Sequence, residues 1–202
     1  MWSWYWNNIT TGEHTGTHFD APVHWVSGQD GGDVAQVPLT RLVAPAAVVD
    51  VTEQAAADPD FLLEVEHVKE WESEHGPLPD GGWLLLRTGW DARSDDQEAF
   101  LNANETGPHT PGVSVDCARW LADEAPILGI GVETVGTDAG AAHSFDPAFP
   151  CHSFLLGAGK YELTQLQNLA SLPPTGAVVV AAPLPIVGGS GSPARVLALV
   201  ER

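Results

Sequence analysis

Basic residues are scarce in this chain: 8 Lys and Arg face 27 Asp and Glu, for a formal net charge of -19. A surface of that sign repels phosphate backbones and anionic membranes over a Debye length or more, so neither nucleic acid nor a membrane is an expected partner. Cysteine is scarcer still. Cys117 and Cys151 form neither a Cys-x-x-Cys pair nor a disulfide framework, which fits a reducing cytoplasm. No run approaches the roughly 20 apolar residues of a membrane helix. The opening Trp2-Ser3-Trp4-Tyr5-Trp6 lacks the basic start and apolar stretch of a secretion signal. Heptads, internal repeats and low-complexity tails are absent too. What remains is 202 residues with 44% hydrophobic content, enough for one domain with a buried core.

Short apolar runs bounded by Gly and Pro read as buried strands: Ala46 to Val51, Trp83 to Arg87, Ile127 to Val132, Ala177 to Ala182 and Arg195 to Val200. Trp2, Trp4 and Trp6 recur with period two, which predicts a further strand with its indoles on one face. Glu66 to His75 ends against Gly76-Pro77 as a helix does, and Ser114 to Ala125 opens on an N-cap serine and closes before Pro126. Strands interleaved with helices predict an α/β layered fold with a mixed sheet. Residues 27–33, SGQDGGD, lack the terminal Glu of a calcium loop and read as a flexible connection.

The chemistry concentrates in residues 14–25, HTGTHFDAPVHW, which hold three of the chain's 8 histidines. A helix would put His14 and His18 on one face, but Thr15-Gly16-Thr17 and Pro22 are poor helix material, so the segment is extended or looped. In an extended chain His14, His18, Asp20 and His24 project to one side. Alternate residues lie about 6.6 Å apart there, and metal–ligand bonds measure about 2.1 Å, so His18 and Asp20 can converge on one ion. A straight run from His14 to His24 would span about 33 Å, too far for a single centre. The chain must therefore bend, at Gly16 by a positive φ and again at Pro22. We assign His14, His18 and Asp20 as ligands of one divalent ion and His24 as a nearby unligated group. Two neutral imidazoles and one carboxylate leave the ion positive and open, the arrangement of a catalytic site that activates water. His24, with an ordinary pKa near 6.5, can then accept and return the proton. The same donors also suit Fe(II) oxygenase chemistry, and a non-catalytic metal-dependent binding module is the third reading.

HTGTHFDAPVHW also resembles the H-x-G-T-H-x-D-x-P-x-H signature of the cyclase superfamily, which includes bacterial kynurenine formamidases and isatin hydrolases. The resemblance continues through Leu84 to Trp90, His109 to Ser114, Gly136-Thr137-Asp138, Phe149 to His152 and Gly188 to Arg195. It implies a single domain over residues 1–202, short at its N-terminus relative to the family, with a small β/β/α swivelling-type fold that forms homodimers or larger assemblies. It also implies the same roles for His14, His18, Asp20 and His24. In the two-metal formamidases a later histidine and a glutamate twelve residues beyond it complete the site. Here His152 matches the histidine, but Thr164 stands at the second position. That departure points to the single-metal isatin hydrolase branch, in which manganese is the usual ion; the ligands themselves also suit zinc. The implied reaction opens an aromatic cyclic amide, isatin to isatinate, with an arylformamidase acting on N-formylkynurenine as the alternative. Phe19 and Trp25 are then expected to flank the substrate ring, and His152 to hydrogen-bond the substrate or its departing nitrogen.

Overall fold

The computed structural model describes residues 3–201, so Trp2 lies outside the described residues. Seven strands form a closed barrel: β1 (His18–Asp20), β2 (Val43–Asp50), β3 (Trp83–Arg87), β4 (Gly129–Val132), β5 (Tyr161–Thr164), β6 (Ala177–Pro183) and β7 (Gly191–Leu199). Around the ring their order is β1-β7-β6-β2-β3-β4-β5. The β2–β3, β3–β4 and β4–β5 pairings are parallel and the other four around the ring are antiparallel, giving the mixed sheet. Among the described residues four α-helices accompany it: α1 (Thr52–Ala57), α2 (Val65–His75), α3 (Gln97–Leu101) and α4 (Val115–Asp123). No helix among the described residues is long and apolar enough to cross a membrane.

The alternation of side chains along each strand divides the core in two. Trp83 and Leu85 of β3 turn into the barrel, where Phe19, Val48, Leu163 and Val179 meet them. Leu84 and Leu86, the intervening residues, face Val68 and Trp71 of α2 and Cys117 and Leu121 of α4. Trp71 donates its indole N–H to the Val48 carbonyl at 2.9 Å, which anchors α2 to β2. Ser114 caps α4 by accepting the Cys117 N–H at 3.2 Å, as its sequence position predicts.

The far end of α4 is held by Lys160, whose Nζ donates to the carbonyls of Leu121 at 2.6 Å and Ala125 at 2.8 Å. The Leu121 oxygen is one of the last carbonyls of α4, without an intrahelical donor, and that of Ala125 lies just beyond the helix end. Burial lowers the Lys160 pKa, so the contact also opposes a desolvation cost. Lys160→Met is expected to destabilise the protein by about 1–2 kcal/mol, read as a lower urea midpoint at unchanged m-value.

One expectation fails at the N-terminal side. Residues 3–12 carry no strand, and Trp4 and Trp6 are 58% and 68% exposed, stacked on each other at 6.0 Å. Their spacing in two does place the indoles together, but no neighbouring strand offers the ladder that would make the segment a sheet element. The connection over 27–33 carries no strand or α-helix, as a loop should; Gly28 within it is buried, and Asp33 accepts the N–H groups of Gln36 at 3.0 Å and Gly188 at 2.7 Å.

Candidate metal centre and active site

Strand β1 carries the site. It is three residues long and lies between β7 and β5, antiparallel to both. His18 and Asp20 share its outer face. Phe19 points the other way and is 0% exposed, packed against Trp83 and Tyr161 inside the barrel. Phe19 therefore does not line the site as expected, because the period of two that aligns the ligands turns the residue between them into the core.

The bend at Gly16 occurs as the spacing requires, with φ at +62°. It returns His14 to Asp20, whose Oδ1 lies 2.6 Å from His14 Nδ1 and 3.4 Å from His18 Nε2. The ligating atoms of these three side chains all lie within 4.8 Å of one another. Ligands about 2.1 Å from a common ion sit roughly 3–4 Å apart, so the trio fits one divalent cation. Hydrogen bonds behind the ligands orient both rings. His18 Nδ1 is 2.7 Å from the Gly16 carbonyl, which takes its proton and frees Nε2. Ser190 Oγ donates to Glu13 at 2.6 Å and so accepts from His14 Nε2 at 2.8 Å, which leaves Nδ1 as the nitrogen that faces Asp20. Close packing enforces this arrangement: a Cβ at Gly191 would stand 2.5 Å from His14 Cε1.

Pro22 opens the short turn Pro22–His24, which brings the His24 ring onto His14 with centroids 3.8 Å apart. Burial, foremost, lowers the His24 pKa to about 4 against the pull of Asp20. The ring is neutral at pH 7 and offers a lone pair. Asp20 is 1% exposed. Burial alone would raise its pKa, but the His14 hydrogen bond and the neighbouring imidazoles hold it below the usual carboxylate range.

His152 completes the wall. Its ring lies 5.5 Å from that of His24 and 5.0 Å from that of Trp25, and Trp25 meets Phe149 at 5.6 Å. A second trio of ligand-type atoms, from Asp20, His24 and His152, overlaps the first at Asp20. Burial would lower the His152 pKa, yet Glu162 and Asp138 overcome it and raise it to about 9. Glu162 is pushed up to about 7, chiefly by its own burial. It faces Asp20 across the β1–β5 pair, while Thr164 faces His18 and sets its hydroxyl 2.9 Å from His18 Nδ1.

A match to the Cyclase family model covers residues 1–139, well over half of the chain. The chain belongs to the cyclase family. Within it, the chain is 48% identical over 199 residues to the isatin hydrolase of Roseibium aggregatum, spanning 98% of this chain and 75% of that one. It is 32% identical over 183 residues to the kynurenine formamidase of Salinibacter ruber, spanning 90% and 74%. Among solved structures, an isatin hydrolase bound to the product analogue thioisatinate superposes with a TM-score of 0.96 at 47% identity, covering 99% of this chain and 77% of that one. The cyclase-type signature over residues 14–24 thus coincides with the buried ligand cluster.

Sequence reasoning gave no role to Glu13, Ser190, Asp138 or Glu162, although Asp138 and Ser190 lie in stretches that carry the family resemblance. Ser190 is 176 residues from His14, beyond any local pattern. Glu162 had a weaker signal: a lone acidic residue set between the apolar Tyr161 and Leu163. A search fixed on the position of Thr164 passes over it.

Proposed function

We propose that this protein hydrolyses the ring amide of an aromatic cyclic substrate of the isatin type. The observation that carries the reading is the buried convergence of His14, His18 and Asp20 beside a neutral His24. A divalent ion held there supplies Lewis-acid polarisation of a carbonyl and makes water acidic enough to attack near neutral pH. We favour manganese, with zinc compatible with the same donors. The protein's own groups do the rest. His24 takes the proton released by the attacking water. The hydroxyl joins the carbonyl carbon, the ring C–N bond breaks, and a proton is returned to the departing nitrogen. Trp25 and Phe149 offer aromatic surfaces against a flat ring, with His152 beside them.

The identity to an isatin hydrolase and the thioisatinate-bound neighbour support the cyclic substrate. Open-chain N-formylkynurenine is the competing substrate, and side-by-side assays with the ion present separate the two. Isatin is expected to turn over with a kcat/KM more than about tenfold higher, a barrier difference of about 1.4 kcal/mol. The reverse order sinks the cyclic-amide reading, and substrate-linked oxygen uptake would favour an Fe(II) oxygenase instead. We further propose a homodimer or larger assembly, supported by the exposed apolar side chains Leu184, Val187, Leu197 and Leu199. Two buried free cysteines support a cytoplasmic setting.

A further inference from the structure

Asp138 stands outside both trios of ligand-type side chains, yet it is buried and fully engaged. Its Oδ1 accepts the Cys151 N–H at 2.8 Å, and its Oδ2 lies 2.6 Å from His152 Nδ1 and 3.3 Å from the His152 backbone nitrogen. A carboxylate can only accept, so Nδ1 of His152 must carry the hydrogen. The other nitrogen, Nε2, makes no hydrogen bond among the described residues, and the ring packs beside His24 and Trp25.

We propose that Asp138 is a positioning residue: by accepting Nδ1–H of His152 it leaves Nε2 as the ring nitrogen that hands a proton to the departing nitrogen of the substrate. The inference rests on the ring-opening reading above. The transfer balances. Water gives its proton to His24 and its hydroxyl to the carbonyl carbon. The C–N bond breaks, and the leaving nitrogen takes the Nε2 proton of His152. His24 then passes its proton back, restoring both rings. Asp138 makes this cycle possible because a ring that already donates through Nδ1 can lose the Nε2 proton and stay neutral.

Asp138→Asn isolates that property. Each Asp138 oxygen takes one backbone N–H, that of Cys151 on Oδ1 at 2.8 Å and the longer one of His152 on Oδ2 at 3.3 Å, so the asparagine oxygen is expected to keep the shorter bond and turn its amide NH2 toward His152. Nδ1 then has to become an acceptor, which fixes the proton on Nε2, and releasing it would leave an anionic ring. Glu162 is the other carboxylate near Nδ1, at 3.6 Å, but its Oε2 already takes the Thr137 hydroxyl at 2.5 Å.

The test combines two readouts on the metal-loaded protein. Nitrogen-15 NMR of labelled histidine is expected to show Nδ1 of His152 protonated in the wild type and deprotonated in Asp138→Asn. Glu162→Gln is the comparison and should keep the wild-type Nδ1 signal. For isatin hydrolysis, Asp138→Asn is expected to lower kcat by on the order of 10²-fold, with metal content unchanged and KM within about threefold. An unprotonated Nδ1 in the wild type overturns the proposal without any variant having to fold. So does a switched Nδ1 signal in Asp138→Asn with kcat intact. A wild-type protein that shows the expected Nδ1 signal but never opens isatin defeats the ring-opening reading and with it the proton-transfer role, while leaving the Asp138–His152 bond established.

Discussion

Asp20→Ala is expected to lose the bound ion and ring opening together, with activity falling by more than about 10³-fold. Removing a group that merely orients a ligand costs about 10–100-fold in affinity or activity, and Asp20 is the sole carboxylate of the His14–His18–Asp20 trio. Its loss leaves two neutral imidazoles, which hold a hard divalent ion poorly without a charged oxygen. The damage extends to geometry, because Asp20 Oδ1 is also the partner of His14 Nδ1 at 2.6 Å. Elemental analysis of the purified variant, beside its isatin turnover, checks the outcome. A variant that retains a full equivalent of metal would show that the ion sits elsewhere.

His24→Ala is expected to separate what Asp20→Ala loses at once. The ring stacks on His14 but lies outside that trio, so the ion should stay while turnover drops by about 10²–10⁴-fold, the usual contribution of a positioned acid–base group. The neutral ring, with its pKa lowered to about 4 by burial, is in the form that accepts a proton at pH 7. Metal analysis decides between roles. If the variant comes out of purification without metal, His24 is a ligand, and the overlapping trio of Asp20, His24 and His152 becomes the centre instead.

The elements that the sequence revealed are those whose burial follows a local rhythm. Trp83–Arg87 is a strand at its predicted bounds, Ser114 caps α4, and Gly16 takes the positive φ that the reach of His14 demanded. The barrel's closure was not readable, because β1 has three residues and β5 four, too short to show alternation. The site followed the same division. His14, His18, Asp20 and His24 lie within one stretch, and spacing alone brings them together. Ser190, Glu162 and Asp138 arrive through strand register and a distant turn, contacts that no short window contains. Phe19 shows the opposite error, since its nearness in sequence to two ligands suggested contact with the substrate. The pleat sends it to the far side of the strand.

That pleat has a thermodynamic corollary. The stave that fastens the barrel shut is also the one that presents two of the proposed donors, His18 and Asp20, so on that reading grip on the ion and cohesion of the whole cylinder are linked quantities. At a free-ion concentration one hundredfold above the dissociation constant, mass action alone adds about 2.7 kcal/mol to the folded state. Chelation should therefore loosen the seam between the first and last strands before it disturbs the helices on the opposite flank.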